Sequence, residues 1–182
     1  ENLREFCAEL VIANGQVVVE KGKWKVELPT VKYPKWATNS VHLKRALKAE
    51  DFSIHVESQK SKVKANVIGV IENQAPTRHL TFDIQPIKGE LHADTTHDLA
   101  KIAVVERHKG TGGVSLGLVS GFGFTRKCAI ASTVAHDCHH MIVVGTDDAS
   151  MAAAAESLAS CGGGQVVVLD GKVVARVELN IA

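Results

Sequence analysis

The sequence predicts an α+β fold, a mostly antiparallel sheet of several strands with one or two helices. Three observations lead there. Short β-branched runs recur along the chain, several alternating apolar with polar residues at the period of two that a half-buried strand requires. Asn14-Gly15 and Asp170-Gly171 each join two such runs, and both dipeptides tolerate the positive φ of a type I′ hairpin turn. One stretch, residues 147–160, reads as a strong helix. Apolar residues make up 45% of the 182 but aromatics only 4%, so the core must be filled by Val, Ile, Leu and Ala. The length suits one domain, or one domain and a small extra piece.

Residues 9–23, E-L-V-I-A-N-G-Q-V-V-V-E-K-G-K, form the first hairpin, with a further turn at Lys21-Gly22. A lone hairpin is marginal in water, so this one needs a sheet to join. Residues 28–38 hold Pro29, Tyr33, Pro34 and Trp36 and read as an irregular linker whose aromatics pack on a neighbour. The expected organisation is therefore 1–28, a linker at 29–40, and a main domain at 41–182. Short helical turns are expected within 41–52, including 46–51. Strands follow at 54–56, 62–71, 77–84, 87–91, 99–105 and 114–119. Within 77–84, Leu80, Phe82 and Ile84 share one face, and His79, Thr81 and Asp83 the other. Residues 129–135 and 141–145 have the length and branching of buried strands. Thr146 is the expected N-cap of the helix, with Asp147 and Asp148 at its positive end. Gly162-Gly163-Gly164 stops it. Strands at 165–169 and 172–179 complete the sheet, and no fixed-period repeat is present.

Charge narrows the function classes. Lys and Arg number 21 against 20 Asp and Glu, a net +1, so no basic field is available for nucleic acid. No run approaches the ~20 apolar residues of a membrane span, and there is no signal-peptide pattern. A cytoplasmic protein with reduced thiols at Cys7, Cys128, Cys138 and Cys161 is expected. The spacing of Cys128 and Cys138 leaves room for them to face each other across a hairpin. The first residue is Glu1, and the chain opens straight into strand-like sequence, which suggests a processed chain or a piece of a longer one.

The densest chemical group is His136-Asp137-Cys138-His139-His140, set between two apolar runs. Imidazole, carboxylate and thiol all ligate metals, and His136 with Asp137 makes an acid/base pair. The same residues also suit a solvated turn in which Asp137 bonds its own backbone, or histidines satisfied by carbonyls. Glu106-Arg107-His108-Lys109 leaves a strand end and enters Gly110-Thr111-Gly112-Gly113. Strand-end loops often build sites, and glycine lets backbone approach an anion or heterocycle. A charged, mobile turn fits this stretch better when it is taken alone. Ser132 and Thr133 fall in an expected buried strand, where their hydroxyls need either a polar pocket or backbone partners. His92, Asp94, His97 and Asp98 have the spacing of a loop metal site, although an exposed polar turn explains them better. There is no P-loop, dinucleotide fingerprint or G-x-S-x-G.

E-R-H-K-G-T-G at 106–112, G-F-G at 121–123, A-I-A-S-T-V-A-H-D-C-H-H-M-I-V-V-G-T at 129–146 and G-G-G-Q-V-V-V at 162–168 form an ordered set. Together they resemble the C-terminal domain of bacterial-type adenine deaminases, in the amidohydrolase superfamily. The likeness covers most of 99–182 and extends more weakly over 41–98. The first hairpin resembles the β-sandwich segment that follows the catalytic barrel of amidohydrolases, which assigns 1–28 to that sandwich. One departure is H-D-C-H-H where the family tends to H-D-S-H-N, with Cys138 and His140 as the replacements.

The resemblance implies hydrolysis of adenine to hypoxanthine and ammonia by a metal-activated hydroxide. The divalent ion, manganese, iron or zinc, would be held mainly by a (β/α)₈ barrel with an H-x-H on its first strand. This sequence has no H-x-H and no room for the about 250 residues of such a barrel. The chain alone is thus expected to hold no cofactor and to be inactive, with the barrel, adenine and further copies of itself as partners. Three readings follow. In the first, His136 and Asp137 are catalytic, while Glu106, Arg107, His108, Ser132 and His139 face substrate or barrel. In the second, the domain caps the barrel and forms an oligomer interface, its polar clusters being inter-domain contacts. In the third, His136, Asp137 and His139 make an independent metal site.

Overall fold

The computed structural model describes residues 8–57 and 61–181, which leaves Cys7 outside them. The chain divides into two compact units, Glu1–Tyr33 and Pro34–Ala182. The first is a meander of β1 (Leu10–Ala13), β2 (Gln16–Glu20) and β3 (Lys23–Trp24). Asn14 and Gly15 take φ of 51° and 75°, the left-handed pair that the hairpin turn needs. No residue of the three strands is buried, and Leu10, Ile12 and Trp24 are more than half exposed. The meander has apolar faces and, among the described residues, no core of its own.

The second unit begins with a single helical turn, α1 (Lys35–Thr38), inside the stretch expected to be irregular. Pro34 stands at its N-cap, where a missing N–H is harmless, so the proline starts the turn instead of blocking it. The helical turns expected near 46–51 reduce to a 3-10 turn, Ala49–Phe52, which buries Phe52 completely. The strands are β4 (Ile54–His55), β5 (Val63–Gly69), β6 (Arg78–Ile84), β7 (Glu90–Leu91), β8 (Leu99–Val105), β9 (Val114–Ser120), β10 (Cys128–Ser132) and β11 (Met141–Gly145). Helix α2 (Asp148–Cys161) precedes β12 (Gly164–Leu169) and β13 (Lys172–Glu178).

Eight strands form one sheet in the order β13-β12-β10-β11-β8-β9-β5-β6, while β4 and β7 pair separately. Every contact within the large sheet is antiparallel except β5 with β9. This is the expected α+β architecture.

Along β8, Leu99, Lys101, Ala103 and Val105 point to one face by simple alternation. Helix α2 lies on that face, with Met151, Ala154, Ala155 and Leu158 fully buried against Ala129, Val143 and Val168. Farther along, Leu91 and Ile54 from the small sheet cover Val67, Leu99 and Leu118. Lys101 is only 1% exposed, and its Nζ donates to Phe52 O at 3.1 Å and Asp148 Oδ1 at 2.6 Å. The opposite face has Ala100, Val119 and Val144 buried beneath half-exposed Ile102, Ile130, Ile142, Phe122 and Phe124. No helix covers it among the described residues, and it holds an apolar groove of about 430 Å³.

Two local expectations change. Asp147, not Thr146, caps α2, its carboxylate accepting from Ser150 N at 2.9 Å. The Thr146 hydroxyl donates to Arg126 O and accepts from Cys128 N, pinning the start of β10. Cys128 opens β10 buried, and Cys138 lies exposed beyond its other end, so the two thiols do not face each other.

Candidate functional site

Two turns at one end of the sheet meet, residues 106–113 after β8 and residues 133–140 after β10. The apolar run that begins β10 leaves the sheet at Ser132. There the Ser132 hydroxyl accepts from Val134 N at 3.0 Å and bends the chain. Thr133, 1% exposed, anchors the departure: its N donates to Gly164 O and its hydroxyl accepts from Gly164 N at 2.8 Å. The amides of Cys138 and His139 both donate to Ala135 O, closing one helical turn. His139 ends that turn at φ +55°, a left-handed conformation that costs a side-chain-bearing residue roughly 1–2 kcal/mol. In this conformation its carbonyl meets the other turn.

Two donors hold that carbonyl. Arg107 Nε donates to His139 O at 2.8 Å, and His108 Nε2 lies 2.6 Å from the same oxygen. A carbonyl only accepts, so Nε2 of His108 carries the proton. The other Arg107 nitrogens donate to Ser40 O and Oγ and to Thr133 O. Arg107 is 2% exposed, and burial pushes its pKa down, although a guanidinium remains charged. Arg107 points inward as the clamp between the two turns. His108 also lies beside His140, with ring centroids 5.3 Å apart. His140 Nδ1 is buried and has no hydrogen-bond partner among the described residues.

Glu106 too turns onto its own loop. Oε1 accepts from the amides of His108 and Lys109, and Oε2 accepts from the amide and hydroxyl of Thr111. These donors hold its carboxyl at about 2, so it is ionised at neutral pH. The amides of this glycine-rich turn are thus taken up by the protein's own carboxylate. The tip of the other turn faces outward: His136 Nε2 and Asp137 Oδ1 are 3.4 Å apart, and both side chains are more than 90% exposed. Ser132 is not part of this cluster and lines the apolar groove on the open face.

The second histidine–aspartate cluster also serves its own backbone. Asp94 accepts from the Thr96 amide and hydroxyl and from His97 Nδ1, which holds its carboxyl at about 2. Asp98, at φ +49°, turns away and accepts from Gly121 N and Gly123 N.

Residues 74–182 match the family model of the adenine deaminase C-terminal domain. The chain belongs to this family. Over its whole length it is 51% identical to an adenine deaminase of Ruegeria pomeroyi, 52% to one of Paracoccus denitrificans and 46% to one of Moorella thermoacetica. The alignments cover 100% of this chain and 30% of each relative, so the chain spans under a third of the length of the proteins it resembles. Two of the four motifs that carry the resemblance lie in the turns just described: E-R-H-K-G-T-G holds the carboxylate-filled loop, and H-D-C-H-H the turn it clamps.

The residues present do not fit the divalent ion that the resemblance implies. Among the described residues no three His, Cys, Asp or Glu side chains converge on one point. The carboxylates of Glu106, Asp94 and Asp98 are occupied by backbone donors.

Reading the sequence did not single out Lys101, Ser40 or the tie between Asp98 and the G-F-G turn. The one signal was Lys101 itself, a charge inside the buried run L-A-K-I-A-V-V.

Proposed function

We propose that this chain is the C-terminal part of an adenine deaminase, which hydrolyses adenine to hypoxanthine and ammonia, and that its 133–140 turn faces the catalytic barrel. The supporting observation is the shared clamp on His139 O, which fixes the base of a turn whose tip stays in solvent. Hydrolysis at C6 takes a proton from water and delivers one to departing ammonia. An imidazole and a carboxylate 3.4 Å apart suit such transfers, and this gives His136 and Asp137 a proton-handling role in the assembled enzyme. His108 and His139 fix their direction, Arg107 and Glu106 hold the turns in shape, and Ser132 belongs to the surface that meets the barrel. The open apolar face supports the same packing, since a half-exposed Ile/Phe surface of this kind is a docking surface by its chemistry. On this reading the metal, manganese, iron or zinc, belongs to the barrel, and the enzyme is a cytoplasmic homo-oligomer whose first unit continues the sandwich beside the barrel.

A second reading, a cap that contributes packing alone, draws on that same open face. One experiment separates the two. The matching segment of the Ruegeria pomeroyi adenine deaminase is replaced by this chain, and ammonia release from adenine is measured for the chimera and for its His136→Ala/Asp137→Ala variant. A proton-handling role requires kcat to fall with the unfolding temperature retained. Unchanged kcat in the variant favours the cap, and a folded chimera without turnover ends both readings.

A further inference from the structure

The large sheet has two edges, and they are built differently. The β13 edge has a bulge opposite Val167 and Val168 and carries Lys172, Arg176 and Glu178, features that discourage strand addition. The β6 edge also carries charges, Arg78 and Asp83, but it has no bulge. Its seven residues pair with β5 without a shift, from Val63↔Ile84 to Gly69↔Arg78, and no strand lies on its outer side among the described residues.

We infer that β6 is a homodimer interface, in which two copies pair β6 with β6 antiparallel about a twofold axis through Thr81. A twofold contact sets one patch against itself, so the strand must complement its own reverse. Residues 79–83 do so, with Arg78 and Ile84 opposite each other only at the two ends. About Thr81, each His79 faces Asp83 of the second copy, each Leu80 faces Phe82, and Thr81 faces its equivalent. Opposite-charge, apolar and Thr–Thr cross-strand pairs are all favourable. Because β6 has no bulge, the faces also agree. His79, Thr81 and Asp83 are exposed together, while Leu80, Phe82 and Ile84 pack beside Val67 and Leu91 on the other side. Joining two copies continues both the polar ladder and the apolar layer. Asn66 Oδ1, 3.0 Å from His79 Nε2, already holds the imidazole on the polar face. The register is unique. An axis through Leu80 sets His79 against Thr81, one through Phe82 sets Asp83 against Thr81, and either loses the charge pairing.

This interface is independent of the deamination reading, and its test needs no turnover. The full chain is followed by sedimentation over a concentration series and is expected at twice its 19.5 kDa mass. Thr81→Cys, in a background with Cys7, Cys138 and Cys161 replaced by Ser, is expected to join two copies through a short bis-maleimide. Lys172→Cys, on the other edge, is not. Asp83→His should weaken the dimer on the order of tenfold, and the swap H79D/D83H should recover it. Unfolding midpoints confirm that each variant is folded. A chain that stays monomeric at every concentration overturns the inference. So does a dimer that fails to cross-link through Thr81→Cys, or one that the swap does not recover.

Discussion

Arg107 carries more of the candidate site than any other residue. Its guanidinium donates to acceptors on Ser40, Thr133 and His139, and its own carbonyl accepts from His42 N. Lysine has the charge but not the fork, so Arg107→Lys is expected to destabilise by about 2–3 kcal/mol, and Arg107→Met at least as much, in denaturant titrations. Glu106 gives a pH signature. Its carboxyl lies near 2 in the folded chain against an ordinary 4.5, so its contribution is complete above 4.5 and disappears as pH falls through about 2. Asp51 and Asp94 titrate in the same window, which makes a difference measurement necessary. The stability gap between the chain and its Glu106→Gln variant should be constant above pH 5 and close between 4.5 and 2. A gap that persists at pH 2 would remove Glu106 from that role. Sequence placed these ionisable residues on the right turns but could not orient them. Whether Glu106 looks outward or back at the Thr111 amide depends on the shape of the loop at 106–113, not on spacing.

At the scale of elements, the fit of α2 on the sheet is set by small residues. A Cβ on Gly145 would stand 2.5 Å from Met151 Cγ and 3.0 Å from both Ala129 Cβ and Cys128 O, so two elements would have to part. Gly145→Ala is expected to destabilise by about 1–3 kcal/mol, and Asp147→Ala by about 1 kcal/mol through loss of the cap, both read from unfolding midpoints. The helix and the type I′ hairpins were legible because their signals are local: propensity, glycine stops and left-handed dipeptides. The cap was misplaced by one residue because Thr146 and Asp147 are both good N-caps. The choice between them is made by Arg126 and Cys128, just before and at the start of β10. The run 129–135 looked like one strand because Ser132 and Thr133 alternate acceptably. Only the contact of Thr133 with Gly164, 31 residues away, shows where the sheet ends.

At the scale of the molecule, two features were beyond the reach of the sequence. One is the parallel contact of β5 with β9, which attaches the β5–β6 hairpin to the sheet edge. The other is the open apolar face, since alternation marks the two faces of a sheet but not which of them a helix will cover. The fold class and the two polar turns could be read in advance because their motifs are contiguous. The central claim, that these turns act on substrate chemistry in the assembled enzyme, is tested most directly in the chimera with the Ruegeria pomeroyi adenine deaminase. His108→Ala and His136→Ala are introduced together, and kcat for adenine is measured beside the unfolding temperature. A fall of about a hundredfold or more in kcat, with the unfolding temperature retained, is the expected result. Turnover equal to that of the unaltered chimera would contradict it.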